Sequence, residues 1–263
     1  VVDLAGASVD ELFALARAAE NDDAYWEAVS ALHARGEQRT FDLASVLCDS
    51  FAAGERCLGA DLLGQLGAVP GASPAESPFA SASGDVLLRL LEEEDEPAVL
   101  SSAAVGLGHL RDERAIEGLV ALRGHPDVEV RRSVVHGLMG HDDDRAVAAL
   151  IGLSSDPEGG VRDWATFALG VQVDRDSAEL RDALAARLDD DDRGARAEAI
   201  RGLALRGDAR AVEPALAADP SPEIDEAIAQ LAEATGDPRL RERAGSPDPG
   251  GPRGAEPPEQ AKR

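Results

Sequence analysis

A leucine returns along this chain at a nearly constant interval. Leu32, Leu63, Leu107, Leu138, Leu169 and Leu203 stand 31, 44, 31, 31 and 34 residues apart, the 44 being a 31 lengthened by 13. Seven residues before each lies a landmark position, held by Tyr25, Arg56, Leu100, Arg131, Arg162 and Arg196. Three residues after the landmark the side chain is small or β-branched: Ala28, Gly59, Ala103, Val134, Ala165 and Ala199. A period in the low thirties filled with helix formers predicts a helical solenoid, in which each unit completes its core only against its neighbours. Such an array makes a buried catalytic site the less natural expectation and an extended surface the more natural one.

Composition supports thin, closely packed units. Apolar residues make up 44% of the 263 but aromatics only 3%, so the core must be Ala, Leu and Val. Lys262 is the sole lysine, a bias that fits a GC-rich coding sequence better than a demand for guanidinium chemistry. The net charge of −25 repels nucleic acid and anionic membrane surfaces, and would favour a basic partner if charge selects one at all. Cys48 and Cys57 are too few for a disulfide framework or a zinc site, which points to a reducing compartment. No apolar run reaches membrane-spanning length, and Val1-Val2-Asp3 opens no signal-peptide pattern, so the expected location is the cytoplasm.

In phase with the leucines, the chain divides into helix pairs, each an outer helix, a turn with Asp or Pro, and an inner helix carrying the landmark. Apolar or small residues at landmark −1, +3, +4 and +7 give each inner helix a one-sided stripe. Ile116, Leu119, Val120 and Leu122 do the same for an outer helix. Seven pairs are expected, over 8–35, 40–67, 84–110, 112–140, 143–171, 175–206 and 208–235, with a closing helix near 237–243. Ser8 with Glu11 reads as a capping box, and Thr40, Asp143, Asp208 and Asp237 as N-caps. The Pro- and Ser-rich insertion 70–83 is expected to be a mobile loop within a solenoid of residues 1–244. The Pro/Gly-rich tail 245–263 is expected to be disordered.

The pattern Asp-Pro-x-x-x-Val-Arg-x-x-Ala-x-x-x-Leu, best seen from Asp156 to Leu169 and approached from Asp190 to Leu203, resembles the short HEAT repeats of phycobilisome-lyase-like proteins. The resemblance covers about residues 22–243 and implies an all-α, right-handed α-α superhelix of the armadillo/HEAT type. It implies little about function, since such arrays serve unrelated tasks. Tyr25 and Leu100 stand where arginine is expected, and Asp225 near the arginine position of the seventh pair suits an end cap. One function that the resemblance does imply is a tetrapyrrole (bilin) lyase or its chaperone-like subunit.

The landmark arginines Arg56, Arg131, Arg162 and Arg196 are the first candidates for chemistry. The resemblance implies a structural ladder instead, with turn aspartates such as Asp156 and Asp190 as partners. The acidic runs 92–96, 142–144 and 189–192 lack the ligand spacing and central glycine of a calcium loop, and read as helix caps facing water. No His-Glu dipeptide, Gly-x-Ser-x-Gly elbow or phosphate loop is present, so no catalytic residue, metal or cofactor is expected. Lesion recognition of the glycosylase kind, which needs a basic concave face, is opposed by the charge.

Landmark +1 and +5 should face the concave groove. That strip holds Trp26, Asp61, Arg132, His136, Asp163, Phe167 and Arg201, with one Trp, one Phe and two Arg in an otherwise acidic protein. Trp and Arg are enriched at protein-binding hot spots. The bland alternative is a mixed strip with Trp26 and Phe167 tucked partly into the core. Trp164, at landmark +2, is expected beside the neighbouring repeat and is given no binding role. The expected function is a non-catalytic scaffold or adaptor that holds a protein partner in the groove.

Overall fold

The computed structural model describes residues 4–68 and 71–244. Among them every regular element is helical, and seven helix pairs follow one another. Pairs one to three are α1 (Val9–Ala18) with α2 (Asp22–Arg35), α3 (Gln38–Leu47) with α4 (Ala53–Gln65), and α5 (Ala80–Glu93) with α6 (Pro97–Leu110). Pairs four and five are α7 (Ile116–Leu122) with α8 (Val128–Leu138) and α9 (Asp144–Leu153) with α10 (Gly159–Phe167). Pairs six and seven are α11 (Ala178–Ala185) with α12 (Arg193–Leu205) and α13 (Val212–Ala217) with α14 (Pro222–Thr235). A closing α15 (Pro238–Ala244) ends the described chain.

The even-numbered helices pack in sequence from α2 to α14, forming one continuous inner layer. All six recurring leucines are fully buried, and the small residues at landmark +3 lie against them. Capping follows side-chain chemistry. The Ser8–Glu11 box forms in both directions, and Asp143, Asp208 and Asp237 each accept a backbone N–H two residues on. Thr40 does not cap. The helix starts two residues earlier, behind Glu37, and Thr40 is buried inside α3 with its hydroxyl unpartnered.

The insertion also departs from expectation. Val69 and Pro70 lie outside the described residues, as does the tail 245–263. The rest of the segment is not a plain loop: Pro74–Glu76 forms a 3-10 turn and Ala80 opens α5, so the third pair begins four residues early with Ser83 buried. Ser77 donates to the Leu66 carbonyl at 2.5 Å, and Phe79 stacks on Phe41 at 5.8 Å between ring centres. Apolar and hydroxyl anchors that are invisible to turn statistics fasten the segment to the second pair.

Two devices join successive inner helices. The first is backbone proximity at glycines flanking the recurring leucines. A Cβ on Gly64 would lie 2.7 Å from the Gly106 Cα, one on Gly108 2.8 Å from the Gly137 Cα, and one on Gly202 2.6 Å from the Gly170 Cα. Only hydrogen fits at such crossings. The second is the arginine ladder. Arg131 donates Nη1 to the His125 carbonyl of its own turn at 2.9 Å, and its Nε–Nη2 edge to Asp156 of the next turn at 2.7 and 3.0 Å. Arg162 does the same with the Asp156 carbonyl at 3.0 Å and with Asp190. Arg56 does so with the Ser50 carbonyl at 2.9 Å and with Glu94, at 2.6 Å from Nε. Each rung therefore ties a turn to the one after it through a bidentate, charge-assisted pair.

These pairs correct the reading of the acidic runs as wholly solvent-facing. Glu94 and Asp190 are the buried acceptors of rungs, with side chains 11% and 3% exposed. Burial alone would raise the Asp190 pKa, but the bonds from Arg162 and from the Asp192 N–H bring it down to about 2. Replacing Arg162 by Ala leaves that carboxylate buried with its main partner gone, and should cost about 3 kcal/mol in chemical denaturation. In a double-mutant cycle with Asp190→Ala the two losses should sum to more than the double variant loses. Gly202→Val, which drives a branched side chain into the α10–α12 crossing, should cost about 2 kcal/mol or more by the same measurement.

Candidate functional site: the inner-helix face

The structure breaks the expected strip into separate patches. At its N-terminal end, Trp26 is 46% exposed and meets Tyr25 edge-on at 5.2 Å. The Tyr25 hydroxyl donates to Asp61 at 2.6 Å, and Ser102 also bonds Asp61. Burial raises the Asp61 pKa against the opposing effect of these bonds, so this carboxylate is engaged inside the layer rather than offered to a partner. Tyr25 replaces the ladder arginine by a phenol hydroxyl bonded to a carboxylate of the next inner helix.

In the middle of the array the patch is aromatic. His136 on α8 meets Trp164 on α10 at 4.6 Å between ring centres, and Trp164 meets Phe167 edge-on at 5.9 Å. Trp164 is 39% exposed and bridges the two side chains expected in the groove. It packs beside the neighbouring pair, as expected for landmark +2, and is also part of the surface. The sequence signal was present: Trp164 lies three residues before Phe167, so one helix turn brings the rings together. Asp163, beside Trp164, has its pKa raised by burial and by the Asp192 charge.

The two groove arginines are already paired within their own helices. Arg132 binds Glu129, and Arg201 binds Glu198 at 2.8 Å. Burial raises the Glu198 pKa despite the Arg201 charge. The face therefore presents a mixed, largely compensated charge around an aromatic centre.

Beside the aromatic centre lies a cavity of about 520 Å³ lined by Val105, His109 and Arg111 near the end of α6, by His136 and Met139, and by Pro74 of the insertion. Arg111 was not singled out from the sequence. It ends α6 in the left-handed region at φ 51°, whereas Gly36, Gly140, Gly207 and Gly236 follow other inner helices with positive φ. A non-glycine residue there costs about 1 kcal/mol. The signal was legible: four residues after the recurring leucine stand Gly36, Gly67 and Gly207, but Arg111. Elsewhere, Phe51 is fully exposed in the α3–α4 turn.

The ladder closes at three of its four arginines. Arg196 bonds only the backbone carbonyl of Asp190, so the expected carboxylate partnership fails there. Asp219, which occupies the Asp-Pro position of the following turn, pairs instead with Arg193 at 3.2 Å.

No thiol is poised for attack. Burial pushes Cys48 up to about 12 and also raises Cys57. Among the described residues no group of three or more His, Cys, Asp and Glu side chains is arranged to hold a metal ion, and no helix is long and apolar enough to cross a membrane.

The histidines set a pH dependence. Burial lowers the pKa of His33, His136 and His141 below the ordinary 6.5, with Arg132 and His109 adding to the effect at His136. The unfolded chain then binds protons that the folded one refuses, so stability is full above 6.5 and falls as pH drops through the lowered values. The rungs respond in a lower window: stability from Asp190, held at about 2, is present above 3.8 and lost as pH falls towards that value. The urea midpoint should fall between about pH 7.5 and pH 5.5, and replacing the three histidines by Gln should flatten that slope.

With the geometry in place, the comparisons with known proteins agree on the architecture. The family model for HEAT repeats matches residues 84–170 and 152–232. No curated protein matches the chain. Among solved structures, YibA of Escherichia coli superposes with a TM-score of 0.72 at 24% identity, over 91% of this chain and 87% of that one. The complex of CpcE and CpcF of phycocyanin lyase from a Nostoc species gives 0.51 at 18% identity, over 90% and 95%. The Cnd3–Cnd2 condensin subcomplex of Schizosaccharomyces pombe gives 0.57 at 15%, over 87% of this chain and 33% of the other. At these identities the likeness shows the fold alone. Because the family model spans more than half of the chain, this protein belongs to the HEAT-repeat family.

Proposed function

We propose that this protein is a non-catalytic scaffold that binds a protein partner on its inner-helix face, centred on His136, Trp164 and Phe167. The observation that carries the reading is the exposure of Trp164 at the middle of that aromatic cluster. A large indole left 39% exposed in a chain with only two tryptophans is a candidate hot spot. The cavity beside it offers a pocket for a partner side chain, with His109 and Arg111 at the rim. Arg132 and Arg201 supply rim charge once their intrahelical carboxylates are exchanged for those of a partner.

The HEAT repeats and the superposition on proteins solved as complexes support an interaction role of this general kind. The likeness to the phycocyanin lyase complex extends to the fold, and no residue here is singled out by it for bilin chemistry. The compartment we propose is the cytoplasm, which suits the two free thiols.

Trp164 and Phe167 replaced together by Ala should leave the helical circular dichroism intact. The same double variant, used as bait, should lose a defined set of proteins that the unaltered chain captures from its native lysate. An identical captured set at matched bait concentration would place the interaction elsewhere.

A further inference from the structure

The fourth rung is open, and its opening is shaped. In the three closed rungs the guanidinium puts Nη1 on a carbonyl of its own turn and turns its Nε–Nη2 edge to a carboxylate of the next. Arg196 makes the first contact, to the Asp190 carbonyl, but among the described residues its Nε and Nη2 have no partner. The acid that would close the rung, Asp219, is 76% exposed and held by Arg193. A cavity of about 450 Å³ lies at this place, between α12, α13 and α14. Arg196 lines it together with an apolar set: Ala197, Ile200, Pro214, Ala217 and Ile224.

We infer that this cavity binds the C-terminal end of a polypeptide whose last residue is small and aliphatic, the terminal carboxylate taking the place of the missing rung acid on Arg196. A fork of two parallel N–H donors matches a carboxylate in a bidentate geometry, as the other rungs already show in this chain. The apolar wall then selects among carboxylates. A chain terminus carries its carboxylate and its side chain on the same Cα, so both reach the cavity at once, whereas an Asp or Glu side chain brings no apolar group alongside. Charges around the site favour a monoanion. Glu213 is paired with Arg239 at 2.7 Å and Asp219 with Arg193, while Asp189 lines the cavity without a salt-bridge partner and repels a multiply charged ion such as phosphate. None of the residues of the aromatic cluster lines this cavity, so the inference goes beyond the inner-face proposal and does not depend on it.

The test is isothermal titration of the full chain with an N-acetylated tetrapeptide ending in valine, as the free acid and as the C-terminal amide. The free acid should bind saturably with a Kd near or below about 1 mM, and the amide roughly tenfold or more weakly. Arg196→Gln, which keeps an amide donor for the Asp190 carbonyl, should lose the binding. Ala217→Trp, which fills the cavity and leaves the guanidinium in place, should lose it too. Circular dichroism of each variant should match the unaltered chain. Equal binding of acid and amide, no saturation by the free acid, displacement by inorganic phosphate, or binding that survives Ala217→Trp would each overturn the assignment.

Discussion

The array depends on how closely one inner helix can approach the next. A core with almost no bulky aromatics cannot span a wide gap, so Ala and Leu must be brought together by backbones that nearly touch. The glycines beside the recurring leucines permit it at Gly64 with Gly106, Gly108 with Gly137, and Gly170 with Gly202. Glycine inside a helix costs roughly 1 kcal/mol in propensity, and the packing gained across each crossing must offset it. Where a rung closes, the ladder then fixes the rotation of one pair on the last, because a bidentate guanidinium tolerates little angular error.

The candidate sites lie where one of those devices lapses. The α8–α10 crossing has no Gly–Gly contact among the described residues, and there His136, Trp164 and Phe167 lie across the two helices. The α12–α14 crossing likewise lacks one, and it carries the open rung at Arg196 with its cavity. The α6 terminus replaces the usual glycine with Arg111 and borders the other cavity. A repeat protein made of equivalent units can acquire distinct sites only by breaking its own rules locally. Each departure here leaves either an exposed ring or an unpaired donor.

Much of this was legible from residue order. The leucine period gave the seven pairs, and the Asp-Pro and Val-Arg pattern marked turns and the ladder arginines, though not Glu94 as an acceptor. Capping was readable where an Asp preceded a helix, but not at Thr40, because the helix propagated past it to bury a side chain in the core. The 70–83 segment misled for a similar reason. Its Pro and Ser content suggested a loop, yet Ser77 and Phe79 are fastened by partners from the second pair, and Ala80 begins a helix.

The sequence by itself determined the period, the inner and outer stripes and the register of the rung arginines, because these rest on helix geometry and on local spacing. Only the tertiary structure decided which donors remain unpaired and which rings meet. Arg196 and Arg162 occupy the same register, but Asp190 meets Arg162 whereas Asp219 pairs with Arg193, a difference made across two helix pairs. The packing of α8 against α10 likewise set the Trp164 indole on His136, a contact between helices that no spacing along one helix can specify.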